Sequence, residues 1–124
     1  MNKNFLTAGA LLAALAVIAG AFGAHFLKAR LSAESLQTFE TAVRYQLYHA
    51  FALLAAGILY KEFTNKWIER AGYFFLAGII FFSGSLYGLC ALPDMKWLGP
   101  VTPLGGLCFI LGWLLLAAGF TQKN

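Results

Sequence analysis

The predicted fold depends on the stretch Arg44-Tyr45-Gln46-Leu47-Tyr48-His49, which places polar side chains at the start of an otherwise apolar run. From Tyr45 to Tyr60 the run has 16 uncharged residues, about 24 Å of helix at ~1.5 Å per residue. Crossing the hydrocarbon core takes about 20 apolar residues. A crossing here must therefore include residues 41–44, with the Arg44 side chain reaching back to the headgroups. The polar stretch is thus part of a predicted membrane span.

The composition is typical of a membrane protein with one domain. Of the 124 residues, 60% are hydrophobic and 11% are charged, and the mean hydropathy is +0.72. A water-soluble fold would have too little polar surface to cover so many apolar side chains. The formal charge of +4 is spread between the apolar runs. We therefore interpret the basic side chains as membrane anchors and headgroup partners, and expect no nucleic-acid interface.

Four spans are predicted, at about residues 5–27, 42–60, 71–92 and 101–120. The fold class is all-α, a polytopic membrane protein, with residues 1–124 forming one small four-helix transmembrane domain. Ahead of the second span, Ser32 is a predicted N-cap and Leu36, Phe39 and Val43 recur at helical spacing. This pattern predicts an amphipathic lead-in helix that either lies in the interface or continues into the span. The first apolar run is longer than the ~7–15 residues of a signal-peptide core, which predicts a retained helix.

Membrane orientation is predicted from the basic residues at the two ends of the spans. The side that holds both termini has five, and the other side has four, which favours cytoplasmic termini in a multi-pass protein of the cell inner membrane. The five are Lys3, Lys61, Lys66, Arg70 and Lys123, and the four are Lys28, Arg30, Arg44 and Lys96.

Helical spacing predicts which faces point inward. On the second span a 100° step places small and polar residues on one face, namely Ala42, Tyr45, Gln46, His49, Ala52, Leu53 and Ala56. The first span has two small-residue stripes, Gly9, Ala13, Ala16, Gly20 and Gly23, and Ala10, Ala14, Ala21 and His25. Gly105, Gly112 and Gly119 recur every seven residues on the fourth span. Small residues permit close approach of helix backbones, so these stripes indicate packing between spans.

Several polar residues are predicted to lie at similar depth, in the half of the bundle away from the termini. This candidate buried polar cluster consists of His25, Tyr45, Gln46, His49, Ser83, Tyr87 and Thr102. Two histidines without a carboxylate or thiolate at that depth do not make a zinc site, which takes three or four protein ligands. Cys90 and Cys108 fall in apolar runs without metal-ligand spacing. We therefore expect no metal, no cofactor and no catalytic residue.

Four motifs resemble one known family. They are Gly20-Ala21-Phe22-Gly23-Ala24-His25, Tyr45-Gln46-Leu47-Tyr48-His49-Ala50, Phe82-Ser83-Gly84-Ser85-Leu86-Tyr87 and Thr102-Pro103-Leu104-Gly105-Gly106. Together they are similar to the small inner-membrane proteins of uncharacterised protein family 0382, or domain of unknown function 423, a family related to eukaryotic transmembrane protein 256. The resemblance covers nearly the whole chain and implies about four membrane helices. It implies no reaction, substrate or catalytic residue.

Two functions are compatible with these features. In the first, the protein is a non-enzymatic structural or interaction protein, whose polar side chains specify helix packing and which associates with lipid, a second copy or another membrane protein. In the second, it is a small transporter or proton-linked carrier that uses the polar residues around His49. The second function predicts a hydrated cavity near His25 and His49, whereas the first does not.

Overall fold

The computed structural model of the protein describes residues 1–122, which form helices joined by short turns. Lys123, which enters the orientation count above, lies outside the described residues. The first helical unit comprises α1 (Lys3–Ile18), a π-helical segment (Ala19–Gly23) and α2 (Ala24–Leu27). We call this unit the N-terminal span. The Asn2 side chain caps its start by accepting a hydrogen bond from the Phe5 N–H.

The second unit is one uninterrupted helix, α3 (Ala33–Leu59), of 27 residues. Its N-cap is Ser32, as predicted, and the Ser32 Oγ accepts a hydrogen bond from the Ser35 N–H at 3.1 Å. The amphipathic lead-in therefore continues directly into the polar stretch. Of the residues predicted to point inward, Tyr45 is partly exposed, while the other six are buried.

The third and fourth units follow two short turns. The third comprises α4 (Lys66–Gly78), a π-helical segment (Ile79–Ser83) and α5 (Gly84–Ala91), and we call it the α4–α5 span. The fourth is α6 (Leu98–Thr121). α6 begins earlier than its predicted span, so Pro103 lies inside the helix and not in its first turn. Because proline has no N–H, it cannot bond the carbonyl four residues before it.

Three of the units are long and apolar enough to cross a membrane, judged by length and composition. They are Lys3–Leu27, Lys66–Ala91 and Leu98–Thr121. α3 is not among the three in the described chain, because its N-terminal half is polar and charged. The all-α membrane fold is thus confirmed, and a crossing by α3 stays a prediction that its central position supports.

The four units are arranged with α3 and the α4–α5 span as the central pair. The N-terminal span packs along α3, and α6 packs along the α4–α5 span. Phe5 also reaches α4, where its ring meets Tyr73 edge-on at 5.1 Å between centroids. A core of buried side chains joins all four units near the end that holds the termini, and it comprises Phe5, Ala52, Leu53, Ala56, Ile68, Ala71, Phe75 and Leu116.

The heptad-spaced glycines of α6 lie at close contacts between helices. Gly105, Gly112 and Gly119 are all buried and lie against the α4–α5 span. A Cβ at Gly112 would be 2.7 Å from the Phe75 ring, and one at Gly119 would be 2.4 Å from Ile68 Cδ1. The predicted packing role of this stripe is therefore observed at each of its positions.

The second small-residue stripe of the N-terminal span is not covered by another helix in the described structure. Ala10, Ala14 and Ala21 are exposed, whereas Gly9 on the first stripe is buried against Leu54 and the Ala50 carbonyl of α3. The prediction that both stripes face neighbouring helices is wrong for this one. The N-terminal span lies at the edge of the bundle, so one of its faces suffices for packing.

Asn65 joins the start of α4 to the end of α6. Its Oδ1 accepts hydrogen bonds from the Trp67 and Ile68 N–H groups at 3.0 and 3.2 Å. Its Nδ2 donates to the Gly119 carbonyl at 3.2 Å. One side chain therefore caps α4 and fixes the position of α6 beside it.

We expect Asn65→Ala to lower the free energy of unfolding by about 1–2 kcal/mol, because it removes both the cap and the link to α6. Asn65→Asp is the matched control, since aspartate keeps the capping oxygen and loses only the donor. Thermal unfolding in detergent, followed by circular dichroism, measures both. Equal losses for the two variants would contradict a capping role.

Candidate functional site

Gln46 is the side chain through which three helical units are hydrogen bonded. It is 5% exposed, its Nε2 donates to the Leu12 carbonyl of α1 at 2.8 Å, and its Oε1 accepts from the Tyr87 hydroxyl of α5 at 2.7 Å. A primary amide has both a donor and an acceptor, so it can serve two neighbours at once. Gln46 thus connects α3 to the helices on both of its sides.

The serines of the third motif connect the α4–α5 span to its neighbours. Ser83 is fully buried at the end of the π-helical segment, and its Oγ donates to the Ala42 carbonyl of α3 at 2.8 Å. Ser85 Oγ donates to the Phe82 carbonyl at 2.9 Å and is also hydrogen bonded to Thr102 Oγ1 of α6. Each hydroxyl therefore has a protein partner within the described residues.

The two ring nitrogens of His49 have partners that fix its protonation state. Trp113 Nε1 donates to His49 Nε2 at 3.1 Å, and His49 Nδ1 lies 2.8 Å from the Tyr45 carbonyl. An indole N–H can only donate and a carbonyl can only accept. Nε2 must therefore present a lone pair, and Nδ1 must bear the proton. The geometry assigns a neutral imidazole in the Nδ1–H tautomer.

Aromatic rings fill the space around His49. Phe109 is stacked on its ring with 3.5 Å between centroids, and Phe75 lies 5.9 Å away. Tyr45 is partly stacked on the histidine and contacts Phe82 of the α4–α5 span, with 39% of its surface exposed. These rings bridge α3 and α6, which otherwise make few contacts along their lengths.

The structure brings together six of the seven predicted cluster residues in linked groups. Gln46 pairs with Tyr87, His49 lies beside Tyr45, and the Ser83 segment leads to Thr102 through Ser85. His25 differs from the prediction, because it is exposed on α2. It belongs to the uncovered stripe of the N-terminal span, so no helix buries it.

Three partners of the polar residues were not predicted. Trp113 and Phe109 lie one turn apart on α6 and enclose His49, yet α6 is so uniformly apolar that neither position stands out in its sequence. The third missed partner, the Leu12 carbonyl, is a backbone group and has no sequence signal. Only the spacing of two aromatic residues four apart on one helix face could have suggested the histidine pocket.

All buried polar side-chain atoms within residues 1–122 have a hydrogen-bond partner. In the same part of the chain, no three His, Cys, Asp or Glu side chains lie close enough to hold a metal ion. Cys90 is paired through a weak bond from its Sγ to the Ser35 carbonyl at 3.2 Å. The interior polar groups are therefore occupied with one another.

Two grooves lie beside Phe39, near the end of the bundle away from the termini. The first is apolar, has a volume of about 150 Å³, and is lined by Leu27, Leu31, Phe39, Tyr87, Cys90 and Ala91. The second, of about 180 Å³, lies between the N-terminal span and α3 and is lined by Gly20, Phe39, Glu40, Val43 and Arg44. Neither of these two grooves is lined by His25 or His49.

Comparison with known proteins shows that this chain is similar to one family of membrane proteins. The model for "Protein of unknown function (DUF423)" matches residues 19–106, which include Gln46, His49, Ser83, Ser85 and Thr102. A UPF0382 membrane protein of Staphylococcus saprophyticus is 47% identical over 117 residues, covering 94% of this chain and 96% of its own. A UPF0382 membrane protein of Bacillus subtilis is 40% identical over 115 residues, covering 92% and 93%. No solved structure matches the chain.

The family model spans the four motifs that carry the resemblance described above. The similarity to the two relatives extends over nearly their full length. Phe109 and Trp113 lie beyond the residues that the family model matches, whereas the polar residues of α3 and the α4–α5 span lie within them. The resemblance predicted from those motifs is confirmed. The chain belongs to the DUF423 family, whose relatives bear the name UPF0382 membrane protein.

Proposed function

We propose that the protein is a non-enzymatic integral membrane protein whose interior polar side chains hold its helices in one arrangement, and which acts by associating with lipid and with other membrane proteins or further copies of itself. One observation carries this proposal. Every buried polar side-chain atom in the described chain is bonded within the protein. A side chain that binds a substrate or transfers a proton needs an accessible donor or acceptor, whereas each of these buried atoms is already engaged with a partner inside the protein.

The bonds also join different helices, as a packing role requires. Gln46 connects α3 with α1 and α5, Ser83 connects the α4–α5 span with α3, and Trp113 connects α6 with His49. Polar residues in membrane interiors hydrogen bond across helices because hydrocarbon offers them no other partner. The distribution of the bonds over all four units supports a role in fixing the arrangement of the bundle.

The geometry supports this role over the proton-carrier hypothesis. A carrier histidine must bind and release a proton at an accessible nitrogen. His49 Nε2 accepts the indole N–H of Trp113, and its ring is stacked on Phe109. Protonation at Nε2 would place two N–H groups against each other, so it would break the bond between α3 and α6.

We also propose that the protein lies in the cell inner membrane with both termini in the cytoplasm. The excess of basic residues on the side of the termini supports this orientation, and Lys3, Lys61, Lys66 and Arg70 on that side are exposed at helix ends. Trp67, partly exposed at the start of α4, suits the same interface.

His49→Gln tests the proposed function. Glutamine is neutral at all pH values, and its amide has both the donor needed by the Tyr45 carbonyl and the acceptor needed by Trp113. We expect the variant to insert and fold normally, with a loss of about 1 kcal/mol in stability from the missing ring stacking. We expect no difference from the unchanged protein in pH-driven flux across liposomes.

His49→Leu is the matched control, because leucine has similar volume and no hydrogen-bonding group. It leaves the Trp113 N–H of α6 without its acceptor, so we expect a larger loss than for glutamine, about 1–3 kcal/mol. Thermal unfolding in detergent compares the two variants. A proton flux present in the unchanged protein and lost in a normally folded His49→Gln variant would contradict the proposal and support the carrier.

A further inference from the structure

The second groove beside Phe39 combines an apolar floor with a charged rim. Its floor is formed by Gly20 of the π-helical segment and by Phe39 and Val43 of α3. Gly20 has no side chain, and a Cβ there would be 3.2 Å from Val43 Cγ1. The groove is therefore narrow where the two helices meet. It is open at its rim, where the exposed side chains of Glu40 and Arg44 lie.

The two rim charges are separated by one helical turn. Residues four apart on an α-helix share a face and are offset by about 5–6 Å along it. Arg44 Nη2 donates to Thr41 Oγ1 at 3.4 Å, a long bond that occupies one of the five guanidinium donors. Arg44 is also the residue whose position at the end of the predicted span requires contact with headgroups. The rim thus offers a cation and an anion one helical turn apart, at the level where the predicted second span meets the headgroups.

We propose that this groove is a binding site for a phospholipid with an amine-bearing headgroup, of the phosphatidylethanolamine class. One acyl chain lies against Gly20 and Val43, the phosphate is bound by Arg44, and the primary ammonium is bound by Glu40. This site goes beyond the packing role proposed above and does not depend on it.

Charge complementarity selects this lipid class over its neighbours. The headgroup has one negative and one positive group, as the rim does in the opposite sense. A lipid whose headgroup is only anionic would satisfy Arg44 but place its phosphate near the Glu40 carboxylate without a compensating cation. A choline headgroup has the positive charge but no N–H, so it cannot donate a hydrogen bond to Glu40. Both alternatives therefore leave part of the rim unpaired.

Native mass spectrometry of the full chain in detergent tests the site. Phosphatidylethanolamine, phosphatidylglycerol and phosphatidylcholine with identical acyl chains are added in equal amounts. We expect about fivefold greater retention of the ethanolamine lipid, the ratio that one favourable charge contact at a membrane surface provides. Glu40→Gln should abolish that preference, and Arg44→Gln should reduce retention of all three lipids.

Arg70→Gln is the matched control, because Arg70 is an exposed basic residue of α4 at the opposite end of the bundle. It should leave the lipid preference unchanged. Equal retention of the three lipids by the unchanged protein, or preference for phosphatidylglycerol, would overturn the proposal without recourse to any variant. Displacement of the bound lipid by water-soluble glycerophosphoethanolamine at similar concentration would show that the groove holds no acyl chain, and would overturn it too. None of these results would affect the His49→Gln test.

Discussion

Gly105→Ala is expected to lower the free energy of unfolding by about 3 kcal/mol, at the upper end of the cost of overpacking a core. The new Cβ would be 2.2 Å from the Phe82 N and 2.6 Å from the Phe82 Cα. At most of the other glycines the atom nearest to an added Cβ belongs to a side chain, which can adjust more readily than a backbone. Phe82 presents its backbone, so α6 as a whole must move away from the α4–α5 span. That movement would also weaken the bond between Ser85 and Thr102.

Gly84→Ala is the matched control for this experiment. Gly84 begins α5 two residues after Phe82, is exposed, and has nothing within 4 Å of the position of an added Cβ. Alanine is favoured over glycine in helices by about 1 kcal/mol, so this variant should be slightly stabilised. Thermal unfolding of both proteins in the same detergent gives shifts of opposite sign. A Gly105→Ala protein as stable as the unchanged one would show that the helices are not in contact at this position.

The inward face of α3 could be predicted from sequence because α3 is a regular helix from Ala33 to Leu59. A constant step of 100° per residue holds over its whole length, and the burial of Ala42, Gln46, His49 and Leu53 follows that step. Tyr45 falls at the edge of the same face, so it is partly exposed although it contacts Phe82 and Phe109. A small difference in angular position around the helix changes burial only for residues at the edges of the inward face.

The π-helical segments could not be predicted in the same way. In the N-terminal span and in the α4–α5 span, five residues adopt i→i+5 bonding, which changes the angular step locally. Neither Ala19–Gly23 nor Ile79–Ser83 contains a proline or another residue that marks such a turn. Tertiary packing favours them, since the first includes Gly20 and Gly23 against α3 and the second places Ser83 beside the Ala42 carbonyl.

The pairing of the polar residues was only partly visible in the sequence. Depth along the spans correctly indicated that Gln46 and Tyr87 lie at similar levels, because helical rise is nearly constant. Depth does not indicate which helix faces meet. It therefore grouped His25 with the cluster residues, although His25 lies on the exposed face of the N-terminal span, at the edge of the bundle. The partner of His49 required knowledge of how α6 is rotated, and its apolar sequence has no polar face to fix that rotation.

Gln46→Leu is expected to lower the free energy of unfolding by about 1–3 kcal/mol, because it removes the bonds to Leu12 and Tyr87 together. Leucine fits a similar volume, so the loss reports mainly on hydrogen bonding. The Leu12 carbonyl lies within α1, so it also takes part in the backbone hydrogen bonding of that helix. The Tyr87 hydroxyl, in contrast, loses its described partner. Most of the cost should therefore come from the α5 side of Gln46.

A double-mutant cycle with Tyr87→Phe separates the two bonds. Tyr87→Phe removes only the hydroxyl and leaves Gln46 bonded to Leu12, so it should cost less than Gln46→Leu. In the double variant no unpaired hydroxyl remains, and the summed losses should exceed the observed loss by about 0.6 kcal/mol, the average for hydrogen bonds between membrane helices, and by no more than about 1.7 kcal/mol. Leu53→Ala is the control partner for the cycle, since buried Leu53 belongs to the core near the termini. Its loss of stability should simply add to that of Gln46→Leu or Tyr87→Phe. Additive losses for Gln46→Leu and Tyr87→Phe would contradict the bond between them. A coupling in the expected range would instead show that the Gln46 amide stabilises the contact between α3 and α5 through its bond to Tyr87, as the proposed packing role of the polar interior requires.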